Sequence, residues 1–192
     1  MPLLSPRRFE AFVVAALSLG GVVNAQPVPP AVGDITIERK VPTPLEEVRR
    51  LIATGDRKQA LARADQHLAK NPRDAQMRFV RGVILTDLSD TASARAAFQQ
   101  LADDFPELPE PYNNLAVLYA ADGQLERART ALELALLAKP DYATAHENLG
   151  DVYLQMAAEA YQRAATLQPT NKAVSAKLGL AREIVTKARG AR

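Results

Sequence analysis

Residues 109–140 read PEPYNNLAVLYAADGQLERARTALELALLAKP, and this stretch decides the fold. Its apolar residues recur at helical spacing on both sides of Gly123: Tyr112, Leu115, Ala116 and Tyr119 before it, and Ala128, Leu132 and Ala135 after it. The stretch therefore predicts two amphipathic helices joined by a short turn. Such a hairpin buries only one face, so it needs neighbours of the same kind.

The pattern recurs along the chain at a 34-residue step. Five series of positions keep that step: Pro72, Pro106, Pro140; Ala60, Ala94, Ala128; Gly82, Ala116, Gly150; Leu85, Tyr119, Tyr153; and Ala64, Phe98, Leu132. Agreement in five series is not chance, and it predicts an all-α stack of helical hairpins. We expect helices at 45–54, 57–70, 74–88, 91–104, 110–121 and 124–138.

The chain resembles the tetratricopeptide repeat (TPR) family, whose pattern places an aromatic residue, Leu-Gly and Tyr on the first helix and Ala-x-x-x-Phe with a closing Pro on the second. The third copy matches it at Tyr112, Leu115, Ala116, Tyr119, Ala128, Leu132 and Pro140, and the fourth at His146, Leu149, Gly150, Tyr153, Ala157, Tyr161 and Pro169. The resemblance implies a TPR-type α-solenoid over 45–190, with repeats at about 41–74, 75–108 and 109–142, a contracted repeat at 143–171 and a capping helix at 172–188.

The fourth repeat lacks a turn. Gly150 and Pro169 are nineteen positions apart, whereas Ala116 and Pro140 are twenty-four positions apart. No helix-breaking residue lies between Asp151 and Pro169, so we predict one unbroken helix from about Thr144 to Leu167, roughly 36 Å long. Its second half would expose an apolar flank around Tyr161 and Leu167. Either the final helix folds back over that flank, or a second molecule covers it in a homodimer.

The N-terminal residues differ from the repeats. Arg7 and Arg8 precede a largely apolar run over 11–23, and small residues surround a possible cut after Ala25. This layout predicts a signal peptide at 1–25, because the run is too short to span a bilayer; an uncleaved membrane anchor is the alternative. Residues 26–44 carry five prolines and predict a linker. We expect export to the periplasm and a mature chain that begins at Gln26.

Composition and motifs give no sign of catalysis. The formal net charge is only +2, so overall charge does not indicate a nucleic-acid partner, and the absence of cysteine excludes disulfides and thiolate chemistry. His146-Glu147 begins like a zinc-protease helix, but Gly150 stands where the second His is required. We predict a protein that is not an enzyme and holds no cofactor or metal.

In the TPR family the first helix of each pair lines a concave groove that binds extended peptides. Asn114 and Asn148 are related by the 34-residue step, and an Asn at that place in the family commonly bonds peptide backbone, to which an amide can both donate and accept. The alternative is that both amides bond within the stack. The candidate groove residues that the resemblance implies are Phe79, Val83, Asn113, Asn114, Val117, Glu147, Asn148 and Asp151.

These features predict a non-catalytic periplasmic scaffold or adaptor that binds a protein or peptide partner in this groove. The basic residues with which some family members clamp the C-terminal carboxylate of a chaperone are missing here, so that mode of binding is not expected. The alternative is a structural, self-assembling repeat protein of the cell envelope.

Overall fold

The computed structural model describes residues 41–190, and side chains up to residue 188. This part of the chain contains eight α-helices and no strand, which confirms the all-α prediction: α1 Pro44–Ala53, α2 Arg57–Leu68, α3 Ala75–Asp87, α4 Thr91–Asp104, α5 Pro109–Ala121, α6 Leu125–Ala138, α7 Ala143–Leu167 and α8 Lys172–Gly190. The predicted signal peptide and the linker up to residue 40 lie outside the described residues.

Side chains cap the starts of α1 and α3. Thr43 and Glu46 form a reciprocal capping box, in which Glu46 N donates to Thr43 Oγ1 and Thr43 N donates to Glu46 Oε2. Asp74 accepts from Met77 N at 3.0 Å and contacts His67 Nε2 at 2.8 Å. Burial raises the pKa of Asp74, but these hydrogen bonds outweigh it and hold the pKa below its usual value. His67 therefore has a structural partner at this cap.

The turns inside the first three repeats use a left-handed residue at one fixed position. Gly55, Ser89 and Gly123 have φ of 84°, 62° and 74°, and they follow one another at the 34-residue step. This backbone conformation suits glycine and strains most other residues. The chain supplies no such turn to the fourth repeat, which is why its helix does not fold back.

The core forms where the second helix of a hairpin packs on the first. Ala94 and Phe98 of α4 are fully buried, and the Phe98 ring lies against Gly82 of α3. A Cβ at Gly82 would stand 2.6 Å from Phe98 Cε1, so only glycine fits there. The Phe79 ring packs 5.7 Å from the Phe98 ring, centroid to centroid. The 34-residue series therefore records real packing positions.

Helix α7 runs for 25 residues without a break, as the sequence predicts. Its first half buries Ala145, Asn148 and Val152 against α5 and α6. Helix α8 folds back on its second half, burying Leu178 and Ala181. Helix α8 contacts Tyr161, whose side chain stays half-buried: Lys177 Nζ lies 5.9 Å from the Tyr161 ring centroid. Leu167 remains 81% exposed.

Candidate partner-binding face

The predicted groove residues lie on α3, α5 and α7, the first helices of three successive repeats. The structure separates them by depth. Phe79, Asn114, Val117 and Asp151 are half-buried and Glu147 is exposed, whereas Val83, Asn113 and Asn148 are buried. The accessible face is therefore narrower than the sequence implied, and Val83, Asn113 and Asn148 belong to the interior in this structure.

A buried amide pair joins α5 to α7. Asn148 Nδ2 donates to Asn113 Oδ1 at 2.8 Å, and the two residues are 6% and 3% exposed. Of the two interpretations open for Asn148, bonding within the stack is the one that the structure shows. The Asn148 amide bonds Asn113 and not Asn114. The contact between these neighbouring first helices therefore joins residues thirty-five positions apart, one more than the repeat step.

Asn114 is the amide that remains accessible. Its Nδ2 donates to the carbonyl oxygen of Glu110 at 2.8 Å, one turn earlier in α5. A side-chain amide has two N–H donors and an acceptor oxygen, so this bond leaves capacity for a peptide main chain. Half-buried Val117 lies three residues along the same helix and Phe79 lies on α3. The face can thus offer apolar contact and hydrogen bonds.

Two tyrosines of the third repeat, Tyr119 and Tyr142, are partly or fully buried. Burial, and then the nearby charge of Glu110, raise the pKa of Tyr142 above its ordinary value. The Arg127 guanidinium lies 4.1 Å from the Tyr119 ring centroid and donates to the Tyr119 hydroxyl at 2.9 Å. The contact between Arg127 and Tyr119 joins α6 to α5.

Both histidines of the described residues contact protein groups nearby in the chain. His146 Nε2 lies 2.8 Å from the carbonyl oxygen of Pro140, within its own turn. Among residues 41–190 no three His, Asp or Glu side chains lie close enough to hold a metal ion. In the same range no helix is long and apolar enough to cross a lipid bilayer.

A polar cleft that the sequence analysis missed lies between α2, α3 and α4. Arg78, which replaces the usual aromatic residue of its repeat, pairs with Asp104 at 2.6 Å, and Arg81 pairs with Asp65 at 2.6 Å. The cleft has a volume of about 680 Å³ and is lined by Leu68, Pro72, Arg73, Arg78, Arg81, Ala97, Gln100 and Asp104. Aspartates offset two of its three arginines, so we do not assign it an anionic ligand.

Comparison with known proteins agrees with this architecture. Family models described as tetratricopeptide repeat match residues 45–109 and 85–149, which together exceed half of the chain. The chain belongs to the tetratricopeptide repeat family. A curated relative from Arabidopsis thaliana, the chloroplastic tetratricopeptide repeat domain-containing protein PYG7, is 33% identical over 81 residues. That match covers 40% of this chain and 27% of the relative, so this TPR protein spans only about a quarter of PYG7.

Two solved structures illustrate the shared fold. The thermophilic TPR protein TTC0263 of Thermus thermophilus is 24% identical, with a TM-score of 0.53 over 72% of this chain and 79% of that one. The first TPR of Spaghetti (RPAP3), solved with an HSP90 peptide, is 17% identical, with a TM-score of 0.54 over 58% of this chain and 89% of that one. At such identities the likeness establishes the fold alone.

Proposed function

We propose that this TPR protein is a non-catalytic periplasmic scaffold that binds a protein partner through the accessible face of α3 and α5. Repeats of this family form protein–protein interaction scaffolds. The observation that carries the proposal is that the side chains of Phe79, Asn114 and Val117 remain accessible to solvent. Next to Asn114 in α5, Asn113 forms the buried hydrogen bond to Asn148. That bond fixes α5, which carries Asn114 and Val117, against α7.

The chemistry of the face favours an extended, uncharged backbone segment as its ligand. Asn114 can bond a peptide main chain of any sequence, while Val117 and the Phe79 ring offer apolar contact. The Spaghetti TPR structure supports peptide binding as a use of this fold. Because the basic clamp residues are missing from this chain, we do not propose a C-terminal carboxylate as the recognised group.

The test begins with the full chain expressed in a bacterium that has two membranes. We expect the protein in the periplasmic fraction with Gln26 as its first residue; a cytoplasmic protein that keeps residues 1–25 would contradict export. The processed protein is then coupled as bait, and the envelope proteins that it retains are compared with those retained by its variants.

The double variant Asn114→Ala with Val117→Asp should lose at least about 1.4 kcal/mol of binding free energy, which corresponds to a tenfold larger dissociation constant. Leu137→Asp is the matched control, since Leu137 is 79% exposed on α6, a second helix that carries none of the face. It should bind as the parent does. Equal retention by the parent and the double variant would contradict this site, as would equal loss in both variants.

A further inference from the structure

The first half of α7 is the first helix of the fourth repeat, and no second helix of that repeat packs on it. Leu85 and Tyr119 are 3% and 8% exposed because the second helix of their own repeat covers them, but Tyr153 at the same register is 48% exposed. Gly82 lies against the Phe98 ring, whereas a Cβ at Gly150 would meet nothing within 4 Å. The fourth repeat therefore presents an open packing face.

The missing second helix is present in the chain but out of reach. Ala157, Tyr161, Ala164 and Pro169 have the same spacing as Ala128, Leu132, Ala135 and Pro140 of the third repeat. Tyr161 is thus the counterpart of Phe98, yet it lies eleven residues beyond Gly150 on the same straight helix. That separation is about 16 Å, so Tyr161 cannot pack on the Gly150 of its own chain.

Helix α8 packs on the second half of α7 much as α7 packs on α6. The apolar positions Ala145, Leu149, Val152 and Met156 recur twenty-nine positions later as Val174, Leu178, Ala181 and Val185, all buried or half-buried. This spacing is the 34-residue step less the five residues of the lost turn. The second half of α7 therefore corresponds to the second helix of the fourth repeat, and α8 to the first helix of the next repeat. The two pack together as one unit. In a fourth repeat of normal length, this unit would pack on the first half of α7.

We propose that a second copy of this chain supplies that unit. Two α7 helices pair in antiparallel fashion about a two-fold axis, and each lays its second half, with α8, on the Gly150–Tyr153 face of the other. In this arrangement the Tyr161 ring of one copy occupies the space above Gly150 of its partner, as the Phe98 ring does above Gly82. The proposal is independent of the peptide face on α3 and α5.

Charge complementarity supports a second copy as the occupant. The neighbouring first helices α5 and α7 meet at Asn113 and Asn148, which are thirty-five positions apart. The fourth repeat is five residues shorter, so the equivalent contact to the next first helix joins residues thirty positions apart. Those residues are Glu147 and Lys177. Within one chain they stay separated, because Lys177 lies beside Tyr161, about 21 Å along α7 from Glu147. An acid and a base therefore meet only across the dimer.

The first test measures molar mass by light scattering and sedimentation, from low micromolar to several hundred micromolar protein, after expression of the full chain. We expect twice the chain mass at high concentration. Gly150→Leu fills the space that Tyr161 of the second copy would take, so it should give one chain mass throughout, with helical content unchanged. Gly179→Leu is the matched control, because Gly179 is an equally open helical glycine, on α8. It should dimerise as the parent does.

Charge reversal gives a second test, which does not depend on a new bulky side chain. Glu147→Lys or Lys177→Glu alone should weaken the dimer by about threefold to tenfold, as removal of an exposed ion pair and its replacement by repulsion implies. The two changes together in one chain should restore most of the parent dissociation constant. A parent that stays monomeric, a Gly150→Leu variant that still dimerises, or a double reversal no better than the single ones would each overturn the proposal.

Discussion

Phe98→Ala is expected to lower the free energy of unfolding by about 3–5 kcal/mol, the usual cost of removing a fully buried phenylalanine. The Phe98 side chain is completely buried between α3 and α4 and contacts Gly82 and the Phe79 ring. Gly82 has no side chain that could move into the vacated space, so the cavity should persist. Urea unfolding followed by circular dichroism measures the change.

Leu137→Ala serves as the control for this substitution. Leu137 is 79% exposed near the end of α6, so its removal should change the free energy of unfolding by less than about 0.5 kcal/mol. If Phe98→Ala cost no more than Leu137→Ala, the ring would not be packed between α3 and α4 as described.

Asn148→Ala is expected to cost about 1–3 kcal/mol of stability, because it leaves the buried amide oxygen of Asn113 without its donor. The double variant Asn113→Ala with Asn148→Ala removes both partners, so its cost should fall below the sum of the two single changes. Such coupling, of the order of 0.5–3 kcal/mol, is the signature of a direct pair. Thermal and urea unfolding of the four proteins complete the cycle.

Asn114→Ala is the neighbouring control for the amide pair. Its side chain bonds only a carbonyl of its own helix in this structure, and alanine is the better helix former, so stability should change by less than about 0.5 kcal/mol. A loss at Asn114 as large as that at Asn148 would show that α5 is rotated relative to the structure described.

Much of the fold follows from the sequence because local signals and the repeat period agree. The predicted helix bounds lie within two residues of the observed ones, since prolines, Gly55 and Gly123 mark where the backbone must start or stop a helix. The unbroken α7 was predicted for the complementary reason: nothing between Asp151 and Leu167 can end a helix. Both predictions depend only on which residues favour, start or end a helix, and these can be read from a single sequence.

The depth of individual side chains was harder to predict. The 34-residue step shows which helix carries a residue. It does not show whether that residue faces solvent or the next helix, since Asn113 is buried and the adjacent Asn114 is half-buried. For that reason Asn113 and Asn148 were expected in a groove and lie in the interior. Tyr153 shows the same limit of the register, since it lies in one series with buried Leu85 and Tyr119 but is 48% exposed.

The distance between the two ends of α7 tests the central claim, that the fourth repeat has opened into one helix. The chain has no cysteine, so Glu147→Cys with Arg163→Cys provides two sites for spin labels, and an excess of unlabelled chain suppresses contacts between copies. We expect one narrow distribution, with the labelled Cα atoms about 24 Å apart. A separation of about 10 Å, the spacing of two packed helices, would mean that the chain turns between these sites and would contradict the claim.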